Sequence, residues 1–99
     1  MSGVVETVRL DPLVLAEALA GILNAKGFTT TVLKSGGHQH HPCIEIKGGK
    51  DWQGTEWVYA APEDGHWWFW WSSLELIAPV TEVALAADEI ARALEAARP

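Results

Sequence analysis

Residues 66–71 have the sequence HWWFWW, and this run constrains the fold more than any other part of the chain. It holds five of the nine aromatic residues of the protein. Consecutive side chains of a β-strand point to opposite faces of its sheet, so a strand over 66–71 places large rings on both faces. One face can be buried in a core. The rings on the other face need a separate explanation.

The length and composition are those of one compact globular domain over residues 1–99. Hydrophobic residues make up 48% of the chain and charged residues 20%, which excludes the composition of a disordered protein. No apolar run is long enough to cross a membrane, and the first residues lack the pattern of a secretory signal. Cys43 is the one cysteine, so an intrachain disulfide is excluded. A cytoplasmic location is therefore expected.

The charge of the chain argues against nucleic acid as a partner. The net charge is −6, and no two of the seven Lys and Arg residues are adjacent. Proteins that bind nucleic acid through its phosphates need clustered basic residues. We therefore expect no binding to nucleic acid by this chain alone.

Local signals predict a helix near the start of the chain. Asp11 is a typical N-cap, Pro12 favours the first helical position, and Gly27 is a typical C-terminal stop. These signals predict a helix over 11–26. Gly21 lies inside this helix at a cost of about 1 kcal/mol relative to Ala, which suggests close packing at that position.

The rest of the chain predicts a sheet followed by a second helix. Alternating or β-branched stretches predict strands over 28–34, 43–47, 55–60 and 66–71, with a shorter fifth strand over 75–78. Residues 1–10 are expected to form an arm or an edge strand, and Thr81 is the expected N-cap of a helix over 80–97. Short connections favour antiparallel neighbours. The predicted fold class is α+β: helix, antiparallel meander of four to five strands, helix, with both helices on one sheet face.

The pairing of the third and fourth strands decides which rings share a face. We expect Ala60 to pair with His66 across a turn at 61–65, and Lys47 to oppose Glu56 as a cross-strand ion pair. The face under the helices would then carry Ile44, Ile46, Trp57, Tyr59, Trp67 and Phe69. The opposite face would carry Cys43, Glu45, Lys47, Glu56, Val58, His66, Trp68 and Trp70.

Three explanations fit a second face that carries Trp68 and Trp70. The rings can pack under the N-terminal arm or under the fifth strand and its loop. They can form a face-to-face homodimer, because aromatic residues are enriched in interface cores. They can bind a cationic or sugar-like ligand beside Glu45 and Glu56. The predicted interaction or ligand face comprises Glu45, Lys47, Glu56, Val58, His66, Trp68 and Trp70.

A second cluster of functional residue types lies in the segment HQHHPC. His38, His40, His41 and Cys43 are suitable ligands for zinc or another transition metal. In an extended segment they point in two directions, so one metal ion would need a turn or a further ligand such as His66. Solvated loop histidines are the more common interpretation of this pattern.

Catalysis has weaker support in the sequence. Cys43 and a nearby histidine could form a thiolate pair for nucleophilic catalysis. The sequence around Cys43 has no Gly-rich turn and no obvious oxyanion hole, which argues against this role. The carboxylates of Glu45 and Glu56 would stand on an open sheet face, beside Lys47 and in contact with solvent, which does not favour acid–base catalysis. We therefore assign no catalytic residue and expect a protein that is not an enzyme.

The C-terminal quarter of the chain carries a family resemblance. A Trp-Ser pair, a Glu and an Ile precede a helix of the type Ala-Ala-x-x-Ile-Ala-x-x-Leu. The residues are Trp71, Ser72, Glu75, Ile77, Ala86, Ala87, Ile90, Ala91 and Leu94. In this pattern residues 70–94 resemble small uncharacterised actinobacterial α+β proteins of unknown function. The resemblance implies a small cytoplasmic protein and carries over no catalytic residue.

These observations favour a non-enzymatic binding or protein–protein interaction module that uses an aromatic sheet face. The expected partner is a second copy of the chain or another protein, with no membrane involved. The alternative is a small-ligand or metal-binding protein that uses Trp68 and Trp70 or the segment from His38 to Cys43.

Overall fold

The computed structural model describes residues 11–34, 41–48 and 54–96, which form two helices and one five-stranded sheet. The elements in chain order are α1 (Pro12–Ala25), β1 (Thr29–Leu33), β2 (Cys43–Lys47), β3 (Thr55–Glu63), β4 (His66–Trp71), β5 (Leu76–Pro79) and α2 (Val83–Ala96). All neighbouring strands are antiparallel, in the order β1-β2-β3-β4-β5. The predicted α+β class and meander are confirmed. The arm or edge strand predicted over 1–10 lies outside the described residues.

The ends of α1 follow from its capping residues. The Asp11 carboxylate accepts a hydrogen bond from the Leu13 backbone N–H at 3.1 Å, and Pro12 occupies the first helical position. At the other end, Phe28 N–H donates to the Leu23 carbonyl, and Gly27 adopts a φ of +104°. This is a Schellman motif, in which a left-handed glycine ends the helix and turns the chain into the next strand.

The β3–β4 hairpin differs from the prediction. Asp64 and Gly65 have φ values of 55° and 82°, so both central residues of the turn are left-handed. This geometry defines a type I′ two-residue turn, which Asp-Gly favours. Glu63 therefore pairs with His66, and β3 extends three residues beyond the predicted end at residue 60. The predicted pairing of Ala60 with His66 is wrong, because Ala60 pairs with Phe69.

Pro62 lies within β3 without disrupting its pairing to β4. The Ala60 N–H donates to the Pro42 carbonyl at 3.0 Å, so the even-numbered residues of β3 direct their backbone groups toward β2. Pro62 follows the same direction and lies beyond the last pair of β2 with β3, Cys43 with Tyr59. The missing N–H of proline therefore removes no hydrogen bond to β4.

The corrected register exchanges the two faces of β3. The predicted and observed pairings differ by three residues, and an odd shift moves every side chain to the other face. Val58 is 1% exposed and belongs to the core, so its predicted place on the interaction face is wrong. Glu56 opposes the buried Ile46 on this same side, and Lys47 opposes Thr55, so the predicted Lys47–Glu56 pair across the strands is wrong as well.

The core lies between the sheet and the two helices. Phe69 is its largest fully buried side chain, and it lies between Ala60 of β3 and Ala78 of β5. The sheet contributes Ile44, Ile46, Val58, Ala60, Phe69 and Ala78, with Val32, Trp67 and Trp71 partly buried against them. The helices contribute Ala16, Leu19, Ala20, Leu23, Ala86, Ala87, Ile90 and Leu94.

The helix α2 begins later than the sequence predicts. Glu82 N–H donates to the Pro79 carbonyl at 2.9 Å, which closes a turn between β5 and the helix. The Ala86 N–H then makes the first helical bond to the Glu82 carbonyl. Because Val83 is the first helical residue, Thr81 is not the N-cap. β5 likewise spans Leu76–Pro79, so the edge strand includes a proline at its end.

Two glycines in and after α1 give opposite predictions for stability. Gly21 is exposed with nothing within 4 Å of an added Cβ, so the expected close packing is absent. Gly21→Ala should raise the free energy of unfolding by about 0.5–1 kcal/mol through helix propensity. Gly27→Ala should lower it by about 1 kcal/mol, because Gly27 is left-handed. Urea unfolding of both variants checks the pair, and equal effects would contradict it.

Candidate functional site

The sheet face that points away from both helices is the candidate functional site, and we call it the open face. The register of β1 to β4 places fourteen side chains on it. They are Thr29, Thr31, Leu33, Cys43, Glu45, Lys47, Thr55, Trp57, Tyr59, Ala61, Glu63, His66, Trp68 and Trp70. Within the part of the chain that the structure describes, neither helix lies on this side, because both pack into the core of the other face.

Four large rings form an aromatic cluster in the middle of the open face. Tyr59 pairs with Trp70 and Ala61 with Trp68 across the β3–β4 ladder, and Trp57 lies two residues before Tyr59 on the same face. The four rings of the cluster, Trp57, Tyr59, Trp68 and Trp70, are all partly exposed. Cross-strand neighbours of this kind lie within contact distance.

One hydrogen bond orients the Trp70 ring within the cluster. The Trp70 indole Nε1–H donates to the Ala61 carbonyl oxygen at 3.1 Å. A partly buried indole N–H usually needs such a partner, and this one is backbone of the neighbouring strand. The small Ala61 side chain leaves a depression in the face between Tyr59 and Glu63, which lie on either side of it along β3.

A groove crosses the open face beside Trp70. It has a volume of about 340 Å³ and is open to solvent. Its lining is largely apolar and comprises His41, Tyr59, Ala61, Pro62, Glu63, Trp70 and Leu74. Glu63 is the charged residue among them, so the groove joins aromatic rings to a carboxylate.

Leu74 projects beside this groove from a strained backbone. It lies in the turn between β4 and β5, where its N–H donates to the Trp71 carbonyl at 2.9 Å. Its φ is 74° and its side chain is 67% exposed. Leucine is unfavourable in a left-handed conformation, and an exposed leucine gains no burial in return. Such an outlier supports a role in contact with another molecule.

The structure places five of the seven predicted interaction residues on the open face: Glu45, Lys47, His66, Trp68 and Trp70. Glu56 and Val58 lie on the helix side instead. The prediction missed Trp57, Tyr59 and Leu74. The sequence signal that identifies the first two is Asp64-Gly65, because a two-residue turn fixes the register of β3.

Cys43 lies on the open face and is fully buried between its cross-strand neighbours Leu33 and Tyr59. Burial raises the pKa of the Cys43 thiol above its ordinary value, and the negative charge of Glu45 raises it further. A thiol in this environment stays protonated at neutral pH. Because the thiolate is the nucleophile and the metal ligand, Cys43 is unsuited to both roles here.

The predicted metal ligands are only partly described. His38 and His40 lie outside the described residues. The His41 ring packs edge-on against Trp67, with ring centroids 5.3 Å apart and an interplanar angle of 89°. Over residues 11–34, 41–48 and 54–96, no group of three or more His, Cys, Asp or Glu side chains is arranged to hold a metal ion.

Comparison with known proteins adds no assignment to this geometry. No protein-family model matches the chain, and no curated protein and no solved structure matches it. The resemblance of residues 70–94 to actinobacterial proteins stays a prediction. Both described helices have 14 residues, and neither is long and apolar enough to span a membrane.

The burial of Cys43 predicts an unreactive thiol. In the native protein, Cys43 should react with a thiol-specific chromogenic reagent at least tenfold more slowly than a free cysteine, since burial limits access and suppresses the thiolate. In denaturant it should react at the free rate. Fast labelling of the native protein would contradict the described environment of Cys43.

The strain at Leu74 predicts a stabilising substitution. Leu74→Gly should raise the free energy of unfolding by about 0.5–1 kcal/mol, because glycine accepts positive φ without steric cost. Leu76→Gly is the matched control: Leu76 is also exposed, at 45%, but lies in β5, where glycine weakens a strand. Thermal unfolding of both variants measures the difference. A loss of stability in Leu74→Gly would show that the Leu74 side chain is structurally required.

Proposed function

We propose that the protein is a non-enzymatic protein–protein interaction module that forms a cytoplasmic homodimer through its open face. The observation that carries the proposal is the aromatic cluster of Trp57, Tyr59, Trp68 and Trp70, partly exposed on the side opposite the helices. Contiguous exposed apolar surface of this kind is typical of interaction sites. The strained and exposed Leu74 extends the same surface.

The open face comes close to the dimensions that a dimer requires. Strands about 4.8 Å apart and about six residues long at about 3.3 Å each give five strands a face on the order of 480 Å². Two such faces bury about 950 Å², which is close to the area that a specific interface needs, about 1,000 Å². Trp and Tyr are the residues most enriched among those that dominate binding energy.

Two observations support a role without catalysis. The one thiol of the chain is buried, and its pKa is raised. The carboxylates of Glu45 and Glu56 lie on opposite faces of the sheet, so they do not form the close pair that acid–base chemistry requires.

A second candidate function has one specific observation in its favour. The groove is lined by the aromatic residues Tyr59 and Trp70 together with the acidic residue Glu63. Aromatic faces and a nearby negative charge attract an organic cation. Titration with tetramethylammonium, followed by indole fluorescence, tests this function. A response that Glu63→Gln abolishes would favour it, and no response would leave the dimer as the remaining use of the groove.

The dimer proposal predicts the effect of truncating the aromatic cluster. Trp68→Ala combined with Trp70→Ala should weaken self-association at least 100-fold, since one central Trp commonly contributes about 2 kcal/mol to binding. Sedimentation velocity over a concentration series measures the dissociation constant. Leu85→Ala is the matched control, because Leu85 is 46% exposed on α2, away from the open face.

Circular dichroism of the same variants separates binding from folding. The proposal requires that the double variant keep its secondary structure while it loses the dimer. If it unfolds, Trp68 and Trp70 serve the fold of the monomer. A monomer at every concentration of the unmodified protein would overturn the proposal.

A further inference from the structure

We infer that the second copy docks face to face about a twofold axis that lies between the two sheets and passes over Tyr59 perpendicular to the strands, with each strand antiparallel to its own copy. This inference rests on the proposed self-association. It assigns contacts that the proposal leaves open: Trp57 of each copy occupies the depression over Ala61 of the other.

Cross-strand neighbours define three rows on the open face. The central row holds Cys43, Tyr59 and Trp70. One outer row holds Glu45 and Trp57, which pair across β2 and β3. The other outer row holds Ala61 and Trp68, which pair across β3 and β4.

The twofold axis exchanges the two outer rows. Packed sheets lie about 10 Å apart with their strands aligned within about 30°. The axis lies between the two sheets and runs along the central row, perpendicular to the strands. It therefore places Tyr59 next to Tyr59 of the second copy. It brings the row of Trp57 over the row of Ala61, and the reverse. Each contact then occurs twice, as an isologous interface requires.

Side-chain sizes are complementary in this arrangement. On β3, the large Trp57 faces the small Ala61 of the second copy. The depression beside the oriented Trp70 indole is thus filled by a ring of the partner, and close packing at an interface core needs this fit.

Charges are complementary as well. Lys47 at one end of the face comes over the end that carries Glu63, and both side chains are exposed. Opposite charges at such rim positions fix the orientation of the partner.

Other axes lack this complementarity. An axis at the row of Trp57 places Glu45 against Glu45 of the second copy. An axis at the row of Ala61 places two alanines opposite each other across the gap between the sheets. An axis along β3, with the strands parallel, places Glu63 against itself. Apposed carboxylates or an unfilled gap weaken an interface.

A size exchange tests the inference. Ala61→Trp and Trp57→Ala should each raise the dissociation constant at least tenfold, the first by a clash with Trp57 and the second by an empty depression. The double variant exchanges the two side chains and should recover most of the affinity. Sedimentation velocity measures all three, and circular dichroism confirms that each variant folds.

A charge exchange provides a second test that does not disturb packing. Lys47→Glu and Glu63→Lys, both at exposed positions, should each weaken the dimer about threefold or more at low ionic strength. The double variant should restore the affinity, and high salt should remove the differences. Lys26→Glu is the control, because Lys26 pairs with Asp88 on the helix side.

The outcomes separate this inference from the proposed function. Recovery of affinity in either double variant supports the docking about Tyr59. If the single variants weaken the dimer and neither double variant recovers it, this docking is overturned while self-association through the open face stands. If the dimer persists unchanged in every open-face variant, Trp68→Ala with Trp70→Ala included, both are overturned. A protein that is monomeric throughout also overturns both.

Discussion

The left-handed turn at Asp64 and Gly65 is the constraint on which the rest of the structure depends. Two consecutive residues with positive φ join β3 to β4 in the tightest hairpin, so Glu63 has to pair with His66. That pair sets the register of the whole ladder. The register in turn decides that Phe69 points toward the helices and Trp70 points away. A turn longer by one residue would exchange the two faces.

Phe69 is the aromatic member of the buried cluster that the described residues form, and the other members are aliphatic. Its cross-strand neighbours are the small residues Ala60 and Ala78. Trp67 and Trp71 flank Phe69 at the margin of the core. The rings of the aromatic cluster find no place on this side. Their cost in exposed apolar surface is offset in the proposed dimer, where the second copy covers them.

Much of the fold could be predicted from the sequence because its signals are local. Asp11, Pro12 and Gly27 determine the ends of α1 through groups within one turn of the chain. The register could not be predicted in the same way, because a proline at position 62 favours a turn over 61–65 rather than a longer strand. A proline is tolerated in β3 at Pro62, where its nitrogen faces away from β4, and only the tertiary pairing shows that. This single error displaced Trp57 and Val58 to the wrong faces.

The most direct test of self-association through the open face is the contact between Trp57 of one copy and Ala61 of the other. In one chain these residues are four positions apart along β3, about 13 Å at 3.3 Å per residue, which is beyond the reach of a nuclear Overhauser effect. An isotope-filtered experiment on mixed labelled and unlabelled protein would detect contacts between copies alone. We expect nuclear Overhauser effects between the Trp57 indole protons of one copy and the Ala61 methyl group of the other. Their absence in a sample that sediments as a dimer would contradict the proposed docking. A protein that sediments as a monomer would contradict self-association through the open face.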